Sequence, residues 1–370
     1  MLSLEFLQIY WWCVVSLLGG LLVFMMFVQG GQTLLFGLCK NELQKDMVIN
    51  SIGRKWELTF TTLVMFGGAC FAAFPLFYAT SFGGAYWAWM ALLFCFIIQA
   101  VAYEYRKKPD NFLGAKTYEI FLFINGSLGT ILLGIIVSTL FSGSEFALGD
   151  NNFVQWKNPA RGLEALANPF NYILGVALFF CARTGASLYL MNNIAEPEMI
   201  AKLKASLKFN ASAFLVFFIA FLAWVLLKQG YAVGAGGVVS LESFKYLHNY
   251  LSLPAALILL LLGVVLVLVG IFKGAFTSSV RGVFFYGVGV VCAVTSVFLI
   301  LGLNHTAFYP SNFDLQSSLT LANASSSLYT LKTMFYVSFL VPFVLGYISY
   351  VWRAMDAKKL DKEGLSNEHY

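Results

Sequence analysis

From Leu253 to Phe272 the chain reads LPAALILLLLGVVLVLVGIF, twenty consecutive residues without a charge, closed by Lys273. A helix rises about 1.5 Å per residue, so this run is about 30 Å long, the thickness of the hydrocarbon core of a bilayer. A helix in a soluble domain keeps one polar face, and this segment has none. Similar apolar runs, bounded by charges or by Pro and Gly clusters, recur on both sides of it, at about 9–36, 57–79, 85–103, 117–141, 168–191, 209–228, 283–303 and 333–354. With 253–272 they make about nine helices. The whole chain agrees: of 370 residues 59% are hydrophobic and only 11% charged, with a mean hydropathy of +0.78, too apolar for one soluble core. The sequence therefore predicts an all-α polytopic membrane protein with one transmembrane domain over residues 1–354 and a short cytoplasmic tail over 355–370.

The formal charge of +5 is explained by topology before any nucleic acid is invoked. Alternate loops hold Lys40, Lys45, Arg54, Lys55; Arg106, Lys107, Lys108, Lys116; Lys202, Lys204, Lys208; Lys273, Arg281; and the tail Arg353, Lys358, Lys359, Lys362. The loops between them hold only Lys157, Arg161, Lys228 and Lys245. Seventeen against four places the rich side in the cytoplasm. The N-terminus is then outside, the C-terminus inside and the number of crossings odd. Glu5 stands where a signal peptide would carry basic residues, so the first run is read as a retained helix, with Gly30 and Gly31 as a point where it could break. The long outside loops, around 142–167, 229–252 and 304–331, are rich in Gly, Ser, Asn and aromatic residues, as suits a cover over a partner or the membrane surface. No internal repeat is legible.

Cys13, Cys39, Cys70, Cys95, Cys181 and Cys292 lie in or beside apolar runs with no CxxC or Cys/His spacing, which argues against a disulfide framework, zinc or an iron–sulfur cluster. His248 and His305 fall in outside loops and His369 in the tail. No expected helix carries a central histidine, so the chain by itself offers no bis-histidine haem site, and no metal ligand or catalytic residue is assigned to it.

Charges within apolar helices are costly, so Glu57, Glu104, Glu119, Arg183 and Lys332 are the residues to weigh. Glu119 follows Lys116 by three residues in a first turn, where the helix dipole and a local pair account for it, and Lys332 can snorkel to the outer interface. Glu104 and Arg106 sit together in Tyr103-Glu104-Tyr105-Arg106-Lys107-Lys108 and read as cytoplasmic-interface ion pairs. Arg183 lies well inside its helix and needs an anion: Glu57, Glu119, a lipid phosphate or a haem propionate of a neighbouring subunit. Glu57 heads the second helix on the cytoplasmic side, where the helix dipole and proton handling explain it equally well. Gly126, Thr130 and Gly134, at i, i+4 and i+8, permit close helix packing.

Several stretches resemble subunit II of cytochrome bd-type quinol oxidases. They are Val48-Ile49-Asn50-Ser51-Ile52, then Trp56-Glu57, then Gly67-Gly68-Ala69-Cys70-Phe71-Ala72-Ala73-Phe74-Pro75-Leu76-Phe77-Tyr78-Ala79. Further matches are Glu104-Tyr105-Arg106-Lys107-Lys108, Trp11-Trp12 near the start, and Tyr309-Pro310, Ser318-Leu319-Thr320, Asn323-Ala324-Ser325-Ser326 and Thr330-Leu331 in the last outside loop. The resemblance runs from the first helix to the last. It implies nine helices as two four-helix bundles plus one peripheral helix. It also implies a partner subunit I that holds the b and d haems, or b haems only, and the quinol site, with a small accessory subunit, lipid and quinone as further partners. The complex would oxidise quinol and reduce O2 to water in the bacterial inner membrane, taking protons from the cytoplasm.

The resemblance implies a proton route in this subunit, with Glu57 at its entrance. The family's Asp-Gly-Phe-Asp pattern is replaced here by Gln29-Gly30-Gly31-Gln32. Glutamine holds water but does not titrate, so Gln29 and Gln32 extend the route only through waters. Two other readings are open on the sequence: a secondary transporter, and a purely structural or assembly subunit.

Overall fold

The computed structural model describes residues 2–357 together with 359 and 360. Among these, eight helices are long and apolar enough to cross a membrane: Leu4–Leu38, Glu42–Ala73, Tyr86–Tyr105, Ala115–Ser142, Pro169–Asn193, Pro197–Leu227, Pro254–Phe276 and Gly282–Gly302. The pair Leu328–Ser338 and Val341–Met355, bent by 43°, brings the number to nine if it is counted as one broken span, called the ninth below, and Pro342 sits in the first turn after the bend.

The first span changes direction at Met26, between Leu4–Met25 and Phe27–Leu38, not at Gly30 and Gly31. Those glycines serve approach instead. A Cβ on Gly30 would lie 2.1 Å from the Ala182 carbonyl oxygen, and one on Gly31 would lie 2.8 Å from Ile52. The stretch expected to be a loop before the second span is helical from Glu42 to Gly53, and Asn41 caps it by accepting from the Gln44 N–H. The all-helical expectation needs a small amendment in the long loops between spans. There β1 (Phe146–Leu148) pairs with β2 (Val154–Trp156), and β3 (Gln229–Val233) with β4 (Val239–Ser243), both antiparallel.

The first four spans pack as one group and the fifth to eighth as another, joined where the first span lies against the fifth and eighth and the fourth against the fifth; the ninth rests on the first and second. Small residues set the closest approaches. A Cβ on Gly134 would come within 2.6 Å of the Gly175 Cα, where the fourth span meets the fifth, and one on Gly126 would lie 2.4 Å from the Gln29 carbonyl oxygen of the first span. Gly134→Val is therefore expected to cost about 1–3 kcal/mol through overpacking. A thermal melt of the purified complex unchanged by this substitution would contradict the contact.

At the basic end the ninth span is clamped. Lys55, with no side-chain exposure, pairs with Asp356 at 2.9 Å and lies 4.9 Å from the centroid of the Trp352 ring. Asp356 also accepts from the Tyr189 hydroxyl and from Asn193 Nδ2, each at 3.2 Å. Leu360 then bonds Asn193 and Ala195 through its backbone. The start of the expected tail is thus fixed against the fifth span; the rest of it, from 361 to 370, lies outside the described residues.

Candidate functional site

Polar side chains inside the first four spans form a row. Cys95, Gln99 and Tyr103 recur at i, i+4 and i+8 on the third span, a rise of about 12 Å along one face. Gln29 Nε2 donates to Gln99 Oε1 at 3.2 Å, Gln32 Nε2 donates to the Tyr103 hydroxyl at 3.2 Å, and Asn125 Nδ2 donates to the Cys95 carbonyl at 3.0 Å. Asn125 opens a π-helical turn, Asn125–Gly129, of the kind that helices often keep at functional positions. Gln29, Gln32, Gln99 and Asn125 are fully buried. Gln29 Oε1, Gln32 Oε1, Gln99 Nε2, Asn125 Oδ1 and Trp56 Nε1 have no protein partner. Buried amides almost always complete their hydrogen bonds, and a file of this polarity suits internal water.

Of the three residues expected to act together, Gln29 and Gln32 are in this row. Glu57 is not. Trp56 stacks on Tyr103 with ring centroids 5.7 Å apart, while Glu57 points outward. It lies on an exposed stripe with Thr61, Val64, Met65, Gly68 and Phe71. The stripe carries Glu57 to a face that another protein could cover, one stacked ring pair away from the buried row. Gln99, Tyr103 and Asn125 were missed on the sequence; the i, i+4 spacing of polar groups on the third helix was the available signal.

Of the two residues expected in ion pairs at this end, Arg106 forms them and Glu104 has none among the described residues. These positions are 200° apart on a helix, so Glu104 faces outward while Arg106 turns into the bundle and is nearly fully buried. Arg106 Nη2 reaches Glu119 at 2.7 Å and Nη1 reaches Asp46 at 2.8 Å, with Glu42 at 3.2 Å. Lys45 adds a 2.9 Å contact to Glu119, and Lys107 pairs with Asp46. Glu119 is thus neutralised by Arg106 and Lys45 instead of its sequence neighbour Lys116. Three bases and three acids balance at the basic end of the row.

Arg183 meets neither of the acids proposed for it. Its Nε donates to Asn210 Oδ1 at 2.8 Å and its Nη1 to Thr33 Oγ1 at 2.9 Å. The guanidinium carbon lies 5.3 Å from the Phe179 ring centroid, and no carboxylate pairs with it among the described residues.

The residues present do not fit haem ligation. His248 is on the short helix Lys245–Ser252 between the sixth and seventh spans, set against Glu242 at 2.8 Å, a contact that holds the Glu242 carboxylate below its usual range. His305 is in a loop, and His369 lies outside the described residues. A cavity of about 130 Å³ between the two helix groups is lined by apolar side chains such as Leu22, Phe66, Phe141, Leu178 and Phe218, with no imidazole. The six cysteines are free.

The family model described as cytochrome bd terminal oxidase subunit II matches residues 7–355. Cytochrome bd-I ubiquinol oxidase subunit 2 of Escherichia coli (strain K12) is 27% identical, over 100% of this chain and 99% of that protein. A probable cytochrome oxidase subunit 2 of Haemophilus influenzae is 26% identical over 98% of each, and cytochrome bd ubiquinol oxidase subunit 2 of Bacillus subtilis is 26% identical over 84% of each. Among solved structures, a chain of the bd oxidase from Geobacillus thermodenitrificans superposes with a TM-score of 0.65 over 94% of this chain and 98% of that one, at 11% identity, a likeness of fold.

Proposed function

Since the chain belongs to the family of cytochrome bd terminal oxidase subunit II, we propose that it is the haem-free half of a heterodimer and that its first four spans conduct protons, through water, from the cytoplasm toward the oxygen-reducing site of its partner. The chain is a subunit of a bd-type quinol oxidase, an oxidoreductase complex, and a multi-pass protein of the bacterial inner membrane. Its partner is the other large subunit of that complex. In our reading the basic end faces the cytoplasm, and the haems, b and d or b only, and the quinol site belong to the partner. The bound haems supply electron transfer and oxygen reduction.

The observation that carries the proton reading is the buried amide row. Gln29, Gln32, Gln99, Asn125 and Tyr103 offer hydrogen bonds along about 12 Å without any group that holds a charge near neutral pH, so waters held there relay protons without trapping them. Glu57 is the titratable group at the entrance, on the stripe where Thr61 and Gly68 allow a partner helix close approach. The Arg106 cluster holds the ends of the second, third and fourth spans in register around the row.

The test begins with purification. Pulled from native membranes, this chain should bring a haem-rich subunit with it, and expressed alone it should bind no haem. Gln99→Leu and Gln29→Leu, which keep side-chain bulk but remove the amides, should then lower quinol-dependent oxygen uptake several-fold at unchanged haem content. Full turnover in both variants would leave this chain a purely structural subunit.

A further inference from the structure

We propose that Arg183, with Asn210 and Thr33, is the headgroup site for an anionic phospholipid on the basic end of the fifth and sixth spans. The inference is independent of the proton route. Depth comes first. The sixth span runs from Pro197 to Leu227, 31 residues, about 46 Å long and far more than the hydrocarbon core requires. Lys208 and Lys228 bracket a nineteen-residue stretch without a charge and stand about 30 Å apart along the helix, so the part before Lys208 projects past the hydrocarbon at the basic end. The fifth span runs antiparallel beside it, with Phe170 stacked on Trp224 at 5.3 Å and Phe180 on Phe217 at 6.2 Å. Arg183 bonds Asn210, two residues, or about 3 Å, from Lys208. Counted from the ends of its own helix Arg183 looks deep; measured against its neighbour it lies at the edge of the hydrocarbon, where lipid phosphates are within reach of a long side chain.

Chemistry comes second. A guanidinium carries five donors. Here Nε and Nη1 are spent on the neutral acceptors of Asn210 and Thr33, while Nη2 bonds nothing among the described residues. Asn210 is itself held by Ser206 and the ring of Phe179 covers one face of the cation, so the fork is fixed in place. Arg183 is half-buried. A charge in this position requires a counter-ion, and phosphate oxygens suit a planar fork. Basic pockets between spans on the cytoplasmic side are places where anionic headgroups bind.

A lipid is favoured over a partner's carboxylate by the surroundings. The outer face of the sixth span presents Phe209, Val216 and Ile219, each more than 60% exposed. These bulky apolar side chains suit acyl chains.

The experiment uses the purified two-subunit complex, stripped of lipid in detergent and given either phosphatidylglycerol or phosphatidylcholine. Retained lipid is read by native mass spectrometry and the melting temperature is recorded. The wild type should retain phosphatidylglycerol in preference and melt higher with it. Arg183→Leu should lose one retained molecule and the melting shift, and Arg183→Lys should keep part of both. Equal retention of the two lipids by the wild type would overturn the proposal without any variant. Retention of phosphatidylglycerol by Arg183→Leu at the wild-type level would overturn it too. Protection by inorganic phosphate equal to that by phosphatidylglycerol would make this a free-anion site instead. Loss of the partner subunit from Arg183→Leu with lipid retention unchanged would assign the cation to a partner acid and overturn it.

Discussion

Arg106→Leu is expected to destabilise the protein by about 3–5 kcal/mol, the usual consequence of removing one member of a buried ion pair, and so to prevent recovery of an assembled complex. Arg106 and Glu119 are each about 1% exposed at the side chain. The substitution strands Glu119 and Asp46 at the ends of three spans, with only Lys45 and Lys107 left to balance them. The cost arises from the uncompensated carboxylates rather than from the attraction lost, because two charges brought out of water recover little net energy by pairing. Combining Arg106→Leu with Glu119→Leu and Asp46→Asn should therefore restore much of the stability. Glu42→Gln touches the same guanidinium but removes a side chain 69% exposed, so it should cost under about 1 kcal/mol. Thermal melts of the purified complex decide the matter. If Arg106→Leu melts with the wild type, the cluster is a surface ornament and the row beside it is aligned by other contacts.

Glu57→Gln should slow steady-state quinol-dependent oxygen uptake while leaving haem content and assembly intact. The substitution keeps shape and hydrogen bonding and removes only titration. A positioned proton-transfer group contributes on the order of 10²–10⁴-fold; water reaching the row by other paths would relieve part of that, so a loss of at least about tenfold is expected. Glu57→Asp should retain much of the rate. Because Glu57 is exposed on the stripe of Thr61, Val64, Met65, Gly68 and Phe71, its burial depends on the partner. Gly68→Leu should therefore weaken subunit association without touching the amide row. An unimpaired Glu57→Gln enzyme, measured per haem, would reduce the residue to a charge at a helix start and move the entrance elsewhere.

The sequence alone determined the helices and their family, because hydrophobic runs of bilayer length and charges between them are local properties that need no knowledge of neighbours. The same holds for the packing role of Gly134, since a small residue lets two helix backbones approach closely. What side chains do to one another was decided by tertiary structure. Glu104 and Arg106 are two residues apart and face opposite ways, so only Arg106 reaches the acids of the neighbouring spans. Gln99 and Asn125 join Gln29 and Gln32 only when the first, third and fourth spans meet. Lys55 is neutralised by a residue about three hundred positions away. Arg183 finds Asn210 and Thr33, 27 and 150 positions away in the chain, partners that no local feature of its own helix announces.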